Sequence, residues 1–279
     1  MTTNVIRFVP DNAVVRGTVT TSTTASGFSA TAVKTTAKSD FFRSTGTTVD
    51  VFITFPASES IDCVSLPMCN LSNTASVRVS YYSDTGFTTQ LYNTGYVSCI
   101  PTLSTSYPNF TSIPLGAAGF SYGSGRAATF WTPTYTTVRG ILISINDASN
   151  SQGFIELAYV VAGKRYTPVK NFALESSISW KSSSIVALND AGDSVLALGT
   201  KQKVFTFDVN AMDGEGKHAF YSLFKYIGSD YPVFISAFPE HTDKELEEEY
   251  TIYGRLSPEN VIKMTNCNKF NVPISIGAL

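Results

Sequence analysis

The only imidazoles in the chain are His218 and His241, and neither lies beside a recognisable nucleophile. A Ser-His-Asp or Cys-His site needs such a base to activate its hydroxyl or thiol. The string Gly123-Ser124-Gly125 lacks the pattern of the serine elbow that caps a strand-to-helix turn. Paired carboxylates would suit glycoside hydrolysis. Before Arg165, however, the only glutamates are Glu59 and Glu156, and strand alternation predicts that Glu156 points outward. The run Glu240, Asp243, Glu245, Glu247, Glu248 and Glu249 reads as a solvated loop or helical turn, with a subunit contact or cation binding as the alternatives. Asn146, Asp147 and Asn150, or Asn189, Asp190 and Asp193, could offer oxygen ligands to calcium. Their spacing fits no calcium loop, and hairpin turns prefer the same residues. No glycine-rich phosphate loop precedes a helix. The expectation is a protein without catalytic residues, metal or cofactor, and not an enzyme.

Aromatic side chains offer a different chemistry. Tyr81, Tyr82, Phe87, Tyr92, Tyr96, Tyr107, Phe110, Tyr122, Phe130, Trp131 and Tyr135 crowd the first half. A flat ring flanked by amides and hydroxyls can stack on a sugar, although core packing and subunit contact use the same residues. Trp131, Tyr135 and Tyr122 border or lie within a Pro/Gly-rich stretch, Ile100 to Thr134, which reads as long loops around one or two short strands. They are the candidate glycan or partner contacts. The four cysteines, Cys63, Cys69, Cys99 and Cys267, show no metal or redox spacing. Cys63 reads as a small core residue. Free thiols are the main expectation, with a Cys63–Cys69 or Cys69–Cys99 disulfide as the alternative.

The elements that would position these residues are strands. Apolar residues recur every second position in Val49-Asp50-Val51-Phe52-Ile53-Thr54-Phe55, in Val77-Arg78-Val79-Ser80-Tyr81, at Ile141, Ile143 and Ile145, and at Ile155, Leu157, Tyr159 and Val161. Turn-forming clusters such as Ser83-Asp84-Thr85-Gly86 and Asn93-Thr94-Gly95 separate them, as in a β-sandwich. A boundary falls near residues 163–168, dividing the chain into 1-165 and 166-279. The second part holds one amphipathic helix, Gly216–Ile227, with Phe220, Leu223, Phe224 and Ile227 on one stripe and Gly228 as its cap. Strands are predicted at Val204–Val209, Val233–Phe238, Tyr250–Leu256 and Val272–Ile276, with a hairpin around Asn189–Asp193.

Composition narrows the partners. Charged residues make up only 15% of 279 residues, with 43% hydrophobic and a net charge of −2, so a sizeable core is available. Neither part is basic, which argues against a nucleic-acid surface. No run of 18 apolar residues suggests a membrane span. Met1–Arg7 lacks the form of a signal peptide, so the expected place of synthesis is the cytoplasm.

Several of these segments together carry a resemblance. Phe41-Phe42-Arg43-Ser44, Phe55-Pro56, Ile61–Leu66, Val77–Ser83, Thr137–Ile145 and Gly153–Gly163 resemble the galactose-binding-like (discoidin-type) jelly roll from about Asn12 to Ala162. In the second part, Ser179-Trp180, Phe205-Thr206-Phe207, the helix, Gly228, Pro232–Ile235 and Tyr253-Gly254-Arg255-Leu256 look like phage tail-tip proteins that carry such a jelly roll. The resemblance implies a mainly β protein: an N-terminal jelly-roll β-sandwich and a C-terminal tail-tube-like β domain with the amphipathic helix. It further implies a structural protein of a bacteriophage tail tip or baseplate, located in the virion tail and assembled in the host cytoplasm. Its partners would be copies of itself in a symmetric ring, other tail or baseplate proteins and a cell-surface glycan. Phe220, Leu223, Phe224 and Ile227 would be the candidate assembly helix. The alternative reading is a carbohydrate-binding β-sandwich module without catalytic activity.

Overall fold

The computed structural model describes residues 5–37, 39–98, 126–173, 175–188, 194–197 and 199–279. In chain order the strands are β1 (Arg7–Val9), β2 (Thr18–Thr21), β3 (Phe42–Arg43), β4 (Thr48–Cys69), β5 (Ser76–Tyr82), β6 (Gln90–Asn93), β7 (Val97–Ser98), β8 (Arg126–Asn146), β9 (Glu156–Gly163), β10 (Ser177–Ser182), β11 (Ile185–Leu188), β12 (Ser194–Ala197), β13 (Lys201–Met212), β14 (Val233–Ser236), β15 (Thr251–Leu256), β16 (Lys263–Asn266) and β17 (Lys269–Ala278). Helices α1 (Gly214–Ile227) and α2 (Lys244–Glu249) complete the regular structure, with two short 3-10 turns near the N-terminus. The protein is mainly β, as expected. Its chain forms two units: residues 1–167 with 234–251, and residues 168–233 with 252–279. The segment 234–251, expected within the second part, folds with the first unit.

The first unit is a jelly-roll β-sandwich built on two unusually long strands. β4 and β8 pair antiparallel along most of their length, but the register shifts between Thr54 and Glu59 and again between Ile61 and Cys63. Bulges of this kind bend a strand and let it pass from one sheet to the other. Before the bend, β4 pairs β2 and the C-terminal half of β8, which in turn pairs β5. After the bend, β4 pairs β9 and the N-terminal half of β8, and β3 adds to β9. The residues predicted to alternate do so: Val49, Val51, Ile53 and Phe55 are buried, as are Val77, Val79, Tyr81, Ile141, Ile143 and Ile145. They form one core with Leu66, Leu157, Val160 and Phe42.

Alternation fails in β9, where all 8 residues are buried. One face meets the sandwich core. The outer face of this sheet is covered by β1, β14 and α2: β1 pairs β14, Phe8 bridges Tyr166, α2 packs on β8, and Trp131 meets Phe234. Glu156, at the start of β9, is also buried, 4% exposed, under Arg43 of β3, where the simple alternation placed it in solvent. The loop-rich reading of Ile100 to Thr134 changes as well. Residues 126–134 are the start of β8, while 99–125, including Tyr122, Cys99, Tyr107 and Phe110, lie outside the described residues.

The second unit is an antiparallel sheet in the order β15, β17, β13, β10, with β16 paired to β17. Phe205, Phe207, Val209, Val272, Ile274 and Ile276 are buried. α1 packs on β13 and β17. Asp213 caps the N-terminus of α1 by accepting from the Gly216 amide at 2.8 Å, and Gly228, at φ 56, closes its end. The predicted hairpin exists as β11 and β12, with its tip, 189–193, outside the described residues.

Candidate functional site

β3 is only two residues long, yet it sets out the most chemically distinctive surface of the first unit. Its register places Phe42 opposite Leu157 and Arg43 opposite Glu156. Period-2 geometry buries Phe42 completely, and its neighbours Phe41 and Arg43 turn the other way. The Arg43 guanidinium donates to Glu156 Oε1 from Nε at 2.8 Å and from Nη2 at 2.5 Å. Phenylalanine rings surround it, with Phe154 at 4.2 Å, Phe28 at 4.5 Å and Phe41 at 5.6 Å from the guanidinium carbon. All three rings are half-buried. The Arg43 side chain is 31% exposed, and its Nη1 makes no hydrogen bond among the described residues.

The turn between β8 and β9 holds this cluster rigidly. Asn70 accepts from the Glu156 amide at 2.7 Å and donates to the Phe154 carbonyl at 2.9 Å and to Gln152 at 2.7 Å. Ser44 accepts from the Ile155 amide at 2.8 Å. Asp147, fully buried, accepts from the Ser72 amide at 2.8 Å, from the Ser72 hydroxyl, and from Asn150 at 3.1 Å. Its oxygens are spent on shaping the turn, as the turn reading of Asn146, Asp147 and Asn150 expected. Among the described residues no group of three His, Cys, Asp or Glu side chains is placed to hold a metal ion.

The candidate glycan contacts separate. Trp131 is only 8% exposed; Arg7 lies over its ring at 4.8 Å and Phe234 at 6.2 Å, so it is a packing residue and not a binding platform. Tyr135 is 55% exposed and carries the Lys164 ammonium over its ring at 4.3 Å. Tyr122 lies outside the described residues. On α1, Phe220, Leu223 and Ile227 are buried in the second unit and Phe224 is half-buried, so the expected assembly stripe is largely consumed in packing. Tyr221 and Tyr226, at 59% and 61%, are what that helix exposes.

The acidic run is only in part a solvated face. Glu247 is buried, accepting from the Glu240 amide at 2.9 Å and from Lys244 at 2.6 Å. Glu248 approaches Arg126 at 3.6 Å. Lys244, Glu247 and Glu248 line a cleft of about 80 Å³ with Ala127, Thr129 and Phe130, room for a few waters. Burial raises the Glu245 carboxyl, reinforced by Glu249. His241 accepts from the Asp243 amide at 3.1 Å and sits edge-on to Phe238, which is a capping role. Burial also lifts Asp62, against the Arg165 amide, and lifts the Cys63 thiol well above its usual range. Cys63 and Cys69 are buried, Cys69 donating from its sulfur to the Arg126 carbonyl at 3.2 Å, and Cys267 is exposed.

Sequence reasoning had Phe41-Phe42-Arg43 in hand as a mark of the fold and missed its surface role. Alternation around Phe42 would have exposed Phe41 and Arg43. Nothing in the sequence brings Phe28 and Phe154 to the same place, 13 and 113 residues away in order from Phe41: the β3–β9 pairing brings Phe154, and the Ala25 amide donating to the Arg43 carbonyl at 2.9 Å brings the Phe28 loop.

No helix among the described residues is long and apolar enough to cross a membrane. No family model matches the chain, and no curated protein matches it. Among solved structures, a GH29 fucosidase from Ruminococcus gnavus in complex with fucose is similar over 56% of this chain and 27% of that one, at 14% identity and a TM-score of 0.38. A chitosan-binding module from a chitosanase/glucanase of Paenibacillus sp. is similar over 55% of this chain and 99% of that one, with 14% identity and a TM-score of 0.38. A family 32 carbohydrate-binding module from C. perfringens in complex with galactose is similar over 58% of this chain and all of that one, with 8% identity and a TM-score of 0.38.

Proposed function

We propose that this chain is a non-catalytic glycan-binding protein and that a sugar docks on the jelly roll at Arg43. The observation that carries the reading is the open Nη1 edge of a guanidinium already fixed by Glu156 and three half-buried phenylalanines. Such a group donates hydrogen bonds to paired sugar hydroxyls without first losing rotamer freedom. The rim rings accept the apolar face of a pyranose. Glu156 is committed to Arg43, which leaves it no part in acid catalysis. A glycan array followed by calorimetry tests the reading with Phe154→Ala and Arg43→Lys, each checked for native unfolding. Loss of about tenfold in affinity with the fold intact supports it. Full binding by both variants sinks it.

A second reading is a structural protein of a bacteriophage tail tip or baseplate, in the virion tail, forming a ring with its own copies and other tail proteins. What favours it is the pair of exposed tyrosines on α1, Tyr221 and Tyr226, on a chain with only 15% charged residues. Light scattering decides: a defined multimer dissociated by Tyr221→Ser and Tyr226→Ser supports it, and a monomer at all concentrations counts against it.

A further inference from the structure

β10 is the end strand of the second unit's sheet and carries the most exposed tryptophan of the chain. Its register with β13 sets Ile178 opposite Phe205, Trp180 opposite Lys203, and Ser182 opposite Lys201. Residues directly opposite in an antiparallel pair project to the same face. Trp180, Lys203 and Lys201 therefore share one face with Ile178 and Phe205. Further along that face Phe205 and Phe207 are buried, with Phe172 at 6.3 and 6.0 Å from their rings. The cover stops short of Trp180, which is 58% exposed. Lys201 is exposed and Lys203 half-buried. Asp208, the carboxylate of β13, falls on the opposite face by alternation, and no carboxylate pairs with Lys201 among the described residues.

The geometry points to a second binding surface, distinct from the Arg43 site, on which Trp180 stacks a sugar ring while Lys201 meets a carboxylate of an acidic polysaccharide and Lys203 adds its charge to the same face. It takes from the glycan-binding reading only the class of ligand. The surface pairs one flat aromatic with two point charges, each a compact ammonium. Charge complementarity selects an anionic occupant. Nucleic acid needs several neutralised phosphates along a basic track, and a chain of net charge −2 with two lysines at this face supplies none. A uronate chain spaces its carboxylates along alternating sugars and demands fewer cations.

The experiment titrates hyaluronan oligosaccharides into the full-length protein by calorimetry, alongside chitin oligosaccharides as a neutral probe and oligo-dT as a nucleic-acid probe. The chain holds 2 tryptophans and Trp131 is buried, so quenching of indole emission on binding reports Trp180. Expected are about tenfold losses in hyaluronan affinity for Trp180→Ala and for Lys201→Gln with Lys203→Gln, retention by Trp180→Phe, and weakening with added salt. Hyaluronan binding that survives these substitutions and disappears in Phe154→Ala overturns the second surface while sparing the jelly-roll site. No hyaluronan binding, or preference for oligo-dT, overturns it too. Hyaluronan binding lost with Trp180→Ala and untouched by Phe154→Ala supports it even where the Arg43 site fails.

Discussion

Removing Arg43 tests how the jelly-roll edge is held together. Glu156 is 4% exposed, and its Oε1 accepts two hydrogen bonds from Arg43. Breaking a buried ion pair from one side leaves a charge without compensation and costs about 3–5 kcal/mol. The guanidinium is one-third exposed, so water reaches the vacated space and the cost falls to about 2 kcal/mol. Loss of the phenylalanine contacts adds about 1 kcal/mol. Arg43→Ala is therefore expected to destabilise by about 3 kcal/mol. Glu156→Gln, which keeps an acceptor for Arg43, costs about 1 kcal/mol. The double variant removes the stranded charge, so its loss falls short of the sum by about 1–2 kcal/mol. Urea unfolding followed through the buried Trp131 measures all three. An Arg43→Ala loss below about 0.5 kcal/mol, or simple additivity in the double variant, would show that water already screens the pair and that Glu156 does not fix the guanidinium.

Three further outcomes are expected. A Cβ at Gly140 would lie 2.9 Å from the Asp84 carbonyl and 3.0 Å from the Phe87 ring, so Gly140→Ala should cost about 1–3 kcal/mol in chemical unfolding; a neutral result would mean that the loop moves aside freely. Cys63 and Cys69 are buried and Cys267 exposed, so a thiol reagent should modify Cys267 in the native protein and reach the other two only on unfolding; mass mapping of rapid native labelling at Cys63 would contradict the packing. Burial raises the Asp62 carboxyl above its ordinary 3.8, so between the unfolded and folded values the native state binds more protons than the unfolded chain. Its titration therefore lowers stability as pH rises through that window, and stability curves of wild type minus Asp62→Asn should slope downward there, an upward slope refuting the assignment.

Much of the fold was legible because single-face burial writes a period of two into Val49–Phe55 and Ile141–Ile145. The helix was legible from Phe220, Leu223 and Ile227, and its cap from Gly228. Glu156 defeats the same rule, since its cover is Arg43 of a two-residue strand that no local pattern assigns to β9. Trp131 misled for a related reason: its place beside loops in sequence says nothing of Arg7 and Phe234, which come from 124 residues before and 103 after it. The Arg43 surface was half written, in Phe41-Phe42-Arg43. Its remainder is tertiary, created by a two-residue strand with almost no local signal.

The order in which the chain leaves the ribosome gives the 234–251 segment a further meaning. The sandwich core closes on residues up to Ala162, so collapse can begin early in synthesis. Yet β1 then waits for β14, Trp131 for Phe234, and Arg7 for Glu240, while 66 intervening residues, 168–233, are still being made. During that interval the outer face of β8 and β9 stands uncovered. A nascent chain paused before residue 234 would offer chaperones an apolar sheet face, and a fragment cut at residue 165 would carry that exposure permanently.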